Sequence, residues 1–138
     1  MLVQSNNKIV LWVSKDKPPV IEGAKFDAHT SGRTAVSNWK TNKYVAVLID
    51  TGIMSDGLTG FDVVRNIRAL NNNTVIYLMA TNAAGSDTIL AQRLRVKDII
   101  TKSPSYIQKA LQQSNAINWG LRSVRIVKES VGDENRVI

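Results

Sequence analysis

The sequence predicts an α/β protein: a doubly wound, parallel, five-stranded sheet whose first crossover helix is short or missing. Three observations carry this expectation. Short apolar runs alternate with segments whose apolar residues recur at helical spacing, the pattern of a parallel sheet with helices on both faces. The two clearest runs, YVAVLID at residues 44–50 and TVIYLMA at 74–80, are apolar on both sides, as strands buried between two helical layers are. Only about a dozen residues separate the first strand from Phe26, and two of them are the adjacent Pro18 and Pro19. A full crossover helix takes ~10–12 residues plus turns, so that connection is short of room.

The elements follow in order. Residues 8–13 (KIVLWV) read as a buried strand. The stretch SKDKPPVIEGAK disfavours helix through its prolines. Residues 25–30 alternate moderately through Phe26 and Ala28 and form a second strand. Ser31 and Gly32 end it. Residues 33–40 make a short helix with Val36 and Trp39 on one face. The strand 44–50 precedes a loop, TGIMSDGLTG, that holds three glycines. Residues 60–71 repeat Phe61, Val64 and Ile67, with Val63 and Leu70 on the next row, at helical spacing. After the strand 74–80, Ser86 or Asp87 is placed to cap a helix running to about Arg95, with Ile89, Leu90 and Leu94 inward. Residues 98–101 form a last short strand, and Pro104 opens a helix through about Gln113. The expected division is a domain over residues 1–113 and a C-terminal extension over 114–138, helical or partly disordered. Gly120 argues against a simple continuation of the last helix.

Composition narrows the function classes. A length of 138 residues suits one domain. There is no cysteine, which excludes disulfides, thiol chemistry and thiolate metal sites. No run approaches the ~20 apolar residues that span a bilayer, and the N-terminus does not read as a signal peptide. A cytoplasmic protein without a membrane partner is expected. The net charge of +7 lies wholly between Arg93 and Lys128, which hold eight basic residues and the single acid Asp98. Such an excess attracts an acidic partner or nucleic acid, or is a solvated face.

In open α/β sheets, sites form beyond the carboxyl ends of the strands. Ser14 and Asp16 follow the first strand, Asp50 ends the third, Thr81 follows the fourth and Lys102 the fifth. A carboxylate that attacks phosphorus, a hydroxyl that binds a phosphoryl oxygen and an ammonium that offsets its charge make a phosphoryl-acceptor set.

With these residues in place, the chain resembles the receiver domains of bacterial response regulators, which have a flavodoxin-like fold. The strand ending LID at Asp50, the helix opening GFDVVRNIR, the strand ending LMAT at Thr81 and the closing IITKSP around Lys102 carry the resemblance over roughly residues 8–113. It implies that Asp50 is the phosphoacceptor of a histidine kinase, that Thr81 is the hydroxyl that moves on activation and that Lys102 is the family's lysine. It also implies Mg²⁺ held by carboxylates, and a shared output face on the family's fourth helix, fifth strand and fifth helix. Arg93, Arg95 and Lys97 fall on that face.

The departures point to a divergent member, a pseudo-receiver. The acid pair that follows the first strand in the family corresponds here to Val13 and Ser14. This leaves Asp50, with Asp16 or Asp56 reaching in, as the metal candidates, and makes Mg²⁺ doubtful. Lys15 is a candidate to neutralise Asp50 in its place. The loop after Asp50 is about two residues longer than usual and lacks the typical proline. Ile99 stands at the aromatic switch position, and Ser103 where a proline usually follows the lysine. His29, the sole histidine, has no partner motif and reads as a surface or loop residue. Trp12, Trp39 and Trp119 read as packing residues, with Trp119 a weaker candidate anchor for a partner.

The favoured function is a non-enzymatic regulatory module acting by protein–protein binding or self-association, its phosphorylation degraded or absent. A phosphorylatable receiver served by a histidine kinase is the alternative. A nucleic-acid-binding regulator using the basic C-terminal part ranks third, since no recognised nucleic-acid-binding motif is visible.

Overall fold

The computed structural model describes residues 9–71, 73–81 and 85–114. Five parallel strands form one sheet: β1 (Ile9–Val13), β2 (Lys25–His29), β3 (Ala46–Asp50), β4 (Ile76–Ala80) and β5 (Asp98–Thr101), in the order β2-β1-β3-β4-β5. Four helices connect or follow them: α1 (Gly32–Thr41), α2 (Gly60–Leu70), α3 (Gly85–Arg93) and α4 (Pro104–Gln113).

Side-chain alternation sorts the strands into two faces. Leu11, Val13, Val47, Ile49, Ile76 and Leu78 point one way and meet Ala35 and Val36 of α1, Val63, Val64 and Ile67 of α2, and Ala91 of α3. Val10, Trp12, Ala46, Leu48, Tyr77 and Met79 point the other way and meet Ile107, Ala110 and Leu111 of α4. The sheet is therefore doubly wound, but unequally. Residues 14–24 contain no helix, and Ile21 enters the second core from that irregular connection. Pro18 and Pro19 explain why: neither donates a backbone hydrogen bond, and the residue before each is pushed away from helical angles.

Most expected elements are present, with β3 and β4 each starting two residues later than the apolar runs that announced them. Two expectations need correction. Ser86 and Asp87 lie inside the first turn of α3 and so do not precede it as caps. Ile89 is 55% exposed, and among the described side chains of that helix the buried one is Ala91. Leu70, on the last turn of α2, is also exposed. Trp12 is buried against Phe26 edge-to-face, and Trp39 packs partly buried against the first core. Trp119 and the extension beyond Ser114 lie outside the described residues. Among the described residues no helix is long and apolar enough to cross a membrane.

Strand order reverses between β1 and β3, so their carboxyl ends flank the crevice where ligands bind in this topology. Ser14 and Asp50 stand on its two sides.

Candidate functional site

Asp50 is the last residue of β3, and its side chain is 21% exposed. The strand turns immediately afterwards, and the Gly52 N–H donates to Asp50 Oδ1 at 2.9 Å. On the facing strand end, the Ser14 hydroxyl donates to Asp50 Oδ2 at 2.9 Å. Ser14 is the only buried polar residue among those described. It also accepts the Asp16 N–H at 3.0 Å, which folds residues 14–16 into a tight local turn. Trp12 Nε1 donates to the Asp16 carbonyl at 2.7 Å and fixes the far end of that turn.

Lys102, directly after β5, closes the group. Its ammonium donates to Asp50 Oδ2 at 2.5 Å and also to Asp16 Oδ2. The Lys102 side chain is 17% exposed, whereas that of Asp16 is 72% exposed at the rim. Burial alone would raise the Asp50 carboxyl. The hydrogen bonds from Lys102, Gly52 and Ser14 outweigh it and hold the group below the usual carboxylate range. Burial would likewise lower Lys102, but Asp16 and Asp50 together hold it above its ordinary value. Both groups are charged at neutral pH. A cleft of about 200 Å³ between Pro19, Pro104 and Ile107 opens beside Lys102.

Thr81 follows β4 and is exposed. The register pairs Ala80 with Thr101, so Thr81 and Lys102 leave adjacent strands at the same level. Val13, by contrast, is fully buried in the first core and faces away from the crevice. Lys15 is exposed and forms no ion pair with Asp50; the neutralising ammonium is Lys102. Ile99 sits partly buried on β5 against the first core.

Asp56 does not enter the site. It lies in the loop between β3 and α2, where it accepts N–H groups from Gly32 at 3.1 Å and Arg33 at 2.9 Å, and the Ser31 hydroxyl at 3.0 Å. It thus supplements Ser31, the N-cap of α1, from another segment. These hydrogen bonds, led by the one from Arg33, hold its carboxyl well below the usual range. The Ser55 N–H donates to the Thr30 carbonyl beside it. The longer loop is therefore fastened to the start of α1, with Met54 buried beneath it.

A second polar group was not legible in sequence. The Tyr44 hydroxyl donates to Asp27 Oδ2 at 2.5 Å, His29 Nε2 lies 3.1 Å from Asp27 Oδ1 without hydrogen-bond alignment, and Thr34 Oγ1 lies 3.3 Å from His29 Nδ1. His29 is thus a half-buried partner of Asp27 and not a free surface residue. Period-two spacing put Asp27 and His29 on one face, but only the fold brings Tyr44 to them. Arg93, Arg95 and Lys97 are exposed at the end of α3 and before β5.

No family model matches the chain, and no curated protein does. Solved structures do. Vibrio cholerae chemotaxis protein CheY4 is 18% identical, with 78% of this chain and 98% of that one covered and a TM-score of 0.65. The receiver domain of sensor histidine kinase PA1611 from Pseudomonas aeruginosa is 22% identical, covering 77% and 95%, with a TM-score of 0.63. The complex of histidine kinase ThkA with response regulator TrrA, the latter from Thermotoga maritima, gives 20% identity, 78% and 97% coverage, and a TM-score of 0.62. The fold is that of a CheY-like receiver domain.

The PA1611 receiver carries a magnesium ion coordinated in its active-site cleft. The present residues fit such an ion poorly. Both facing carboxylates already bind the Lys102 ammonium, and no group of three acidic, histidine or cysteine side chains suited to a metal occurs among the described residues.

Proposed function

We propose that this chain is a regulatory receiver-like module that signals by binding a protein, either a partner or a second copy, with a site held in one charge state instead of switched by phosphorylation. The observation that carries the reading is the Asp50 carboxylate itself. Its Oδ2 is bound by both Ser14 and Lys102 and its Oδ1 by Gly52. A nucleophilic carboxylate attacks phosphorus through a free lone pair, and a dense shell of donors withdraws it. The reading assigns no catalysed reaction and includes cytoplasmic residence.

The binding surface in this reading is formed by α3, β5 and α4, with Arg93, Arg95 and Lys97 supplying positive charge toward an acidic surface. The ThkA–TrrA complex makes a histidine kinase one candidate partner. The test combines two measurements. Incubation with acetyl phosphate and Mg²⁺, followed by intact mass, is expected to leave the protein unmodified. Asp50→Asn is expected to leave self-association or partner capture unchanged, while charge reversal at Arg93 and Lys97 weakens it. A stoichiometric adduct on Asp50, or loss of binding in Asp50→Asn, would replace this reading with a phosphorylatable receiver.

A further inference from the structure

We infer that the groove between α1 and α2 is a docking site for an acidic amphipathic helix of a partner protein. It is separate from the surface formed by α3, β5 and α4, and it stands whether or not that surface binds.

The groove follows from the topology. β2 leads into α1 and β3 into α2, so both helices run from the carboxyl edge of the sheet toward its amino edge, and they pack side by side. Their inward faces close over the first core. Their outward shoulders enclose a groove of about 390 Å³. α1 lends it Arg33, Val36 and Lys40, spaced i, i+3 and i+7. α2 lends it Asn66, Ala69 and Leu70, spaced i, i+3 and i+4. Each set is one stripe of its helix, so the groove runs lengthwise between the two.

Its base and its rim differ in chemistry. Val36 is buried at the base, while Ala69 and Leu70 are exposed along the α2 wall, Leu70 at 54%. A single exposed leucine is ordinary on a helix. This one lines a concave surface and faces cations on the opposite helix. Arg33 and Lys40 are exposed, and neither forms an ion pair among the described residues. α1 contains no acid that could pair with them along the helix. Asp56 accepts the Arg33 backbone N–H at 2.9 Å, not its guanidinium. No acidic residue lines the groove among the described residues. Lys43, just beyond α1, adds a third cation in an adjoining hollow of about 480 Å³ that shares Lys40.

These features select the occupant. Two helices side by side offer a seat for the ridge of a third. The apolar stripe of such a helix would meet Val36, Ala69 and Leu70. Carboxylates two turns apart on it would face Arg33 and Lys40, whose seven-residue separation spans ~10 Å of helix. A second copy is a poor occupant, because pairing this surface with itself brings cations to cations. Nucleic acid is also a poor occupant, since the groove presents no aromatic ring for a base and an apolar wall to the phosphates.

Fluorescence anisotropy tests the assignment with the full chain and a labelled synthetic peptide of about 18 residues, long enough to hold helical structure. Leucines stand at i, i+4, i+7 and i+11, glutamates flank that stripe and alanine fills the rest. A version with lysine in place of glutamate is the control. Wild type is expected to bind the glutamate peptide and not the lysine peptide. Arg33→Glu combined with Lys40→Glu is expected to weaken binding roughly tenfold or more, and Leu70→Gln several-fold. Charge reversal at Arg93 and Lys97 is expected to leave binding unchanged, which separates this groove from the other surface. Arg33→Gln with Lys40→Gln serves if the double glutamate variant lacks the wild-type circular dichroism spectrum. Failure of wild type to bind the glutamate peptide overturns the inference. So does undiminished binding by the folded double variant or by Leu70→Gln, loss of binding on charge reversal at Arg93 and Lys97, or displacement of the peptide by a single-stranded oligonucleotide.

Discussion

Gly60 packs its α-carbon against the backbone of Asp50 so closely that a β-carbon there would lie 2.0 Å from the Asp50 carbonyl oxygen and 2.8 Å from its carbon. The first residue of α2 thereby sets how far β3 can extend before it turns, and so where the Asp50 carboxylate stands. Thr59 fixes the helix start from the other side through a reciprocal capping box with Asp62. Gly60→Ala must displace backbone, and a loss of about 2–3 kcal/mol in chemical denaturation is expected from overpacking. Gly32→Ala is the control. Its closest contacts are side-chain atoms and not backbone, Leu58 Cδ1 and Val63 Cγ2 at 2.9 Å and Leu58 Cβ at 3.1 Å, so a smaller loss of about 1–2 kcal/mol is expected. Equal costs at the two glycines would mean that the Asp50 backbone is free to move.

The Lys102 clasp predicts a defined pH response. Lys102→Met leaves Asp50 charged with only Ser14 and Gly52 as donors, at a cost of about 1–3 kcal/mol near neutral pH. The Asp50 carboxyl is held below its ordinary 3.8, so its contribution is complete above that value and is lost as pH falls through its folded-state value. The Lys102 ammonium is held above 10.5, so its contribution is complete below that value and is lost as pH rises through its folded-state value. The stability difference between wild type and Lys102→Met is therefore expected to be flat between those limits and to shrink outside them. A difference that varies through neutral pH would implicate another group.

Asp56 acts as a cap brought from a distance. Its carboxylate accepts N–H groups of Gly32 and Arg33 and so occupies the positive end of α1. Asp56→Ala is expected to lower the melting temperature and to speed amide exchange at Gly32 and Arg33, with little change at α2. Because the carboxyl lies well below its ordinary 3.8, protection of those amides is complete above that value and persists as pH falls below it, until the folded-state value is reached. Loss of protection already at ordinary carboxylate pH would show that other donors hold the turn.

The sheet was legible because its signals are local. Ile76–Ala80 and Ala46–Asp50 are apolar on both faces, Pro104 opens α4 at the expected residue, and Pro18 and Pro19 announce the absent helix. Asp50 and Lys102 could be brought together in advance because one ends and the other directly follows a parallel strand, and the carboxyl ends of parallel strands share one edge. What escaped depends on distance. Asp56 binds backbone groups 23 and 24 residues away, which no side-chain motif announces. Ser14 looked like a deficient metal ligand and serves as a hydrogen-bond donor. Ile89 was placed inward by spacing alone, but nine residues of α3 leave room for only a narrow buried stripe, and Ala91 takes it.

Tyr44 and Asp27 offer an optical test of the second polar group. Burial, then the hydrogen bond to Asp27 and its charge, push the Tyr44 hydroxyl up to about 12. Asp27→Asn removes the anionic acceptor, and the Tyr44 titration followed by ultraviolet absorbance is expected to move down toward 10.0. The stability that Tyr44 contributes is complete below 10.0 and is lost as pH rises toward 12. An unchanged titration in Asp27→Asn would leave burial as the sole cause.

Arg95 combines an unfavourable backbone with an exposed charge. Its φ is +58°, in the left-handed region that favours glycine. The surrounding hydrogen bonds explain the conformation. The Val96 N–H returns to the Ala91 carbonyl and the Arg95 N–H to the Gln92 carbonyl, both at 3.1 Å, which is a Schellman ending for α3 with Arg95 at the glycine position. The Arg68 guanidinium secures it by donating to the Leu94 carbonyl at 2.8 Å and the Arg95 carbonyl at 2.9 Å. Arg95→Gly is therefore expected to stabilise the fold by about 0.5–1 kcal/mol in chemical denaturation. The same substitution is expected to weaken self-association or partner binding, because it removes one charge from the proposed surface. The two effects have opposite signs, which separates them from ordinary unfolding: a variant that is more stable yet binds less can only have lost a surface contact. If Arg95→Gly is more stable and binds as well as wild type, Arg95 is not part of the binding surface.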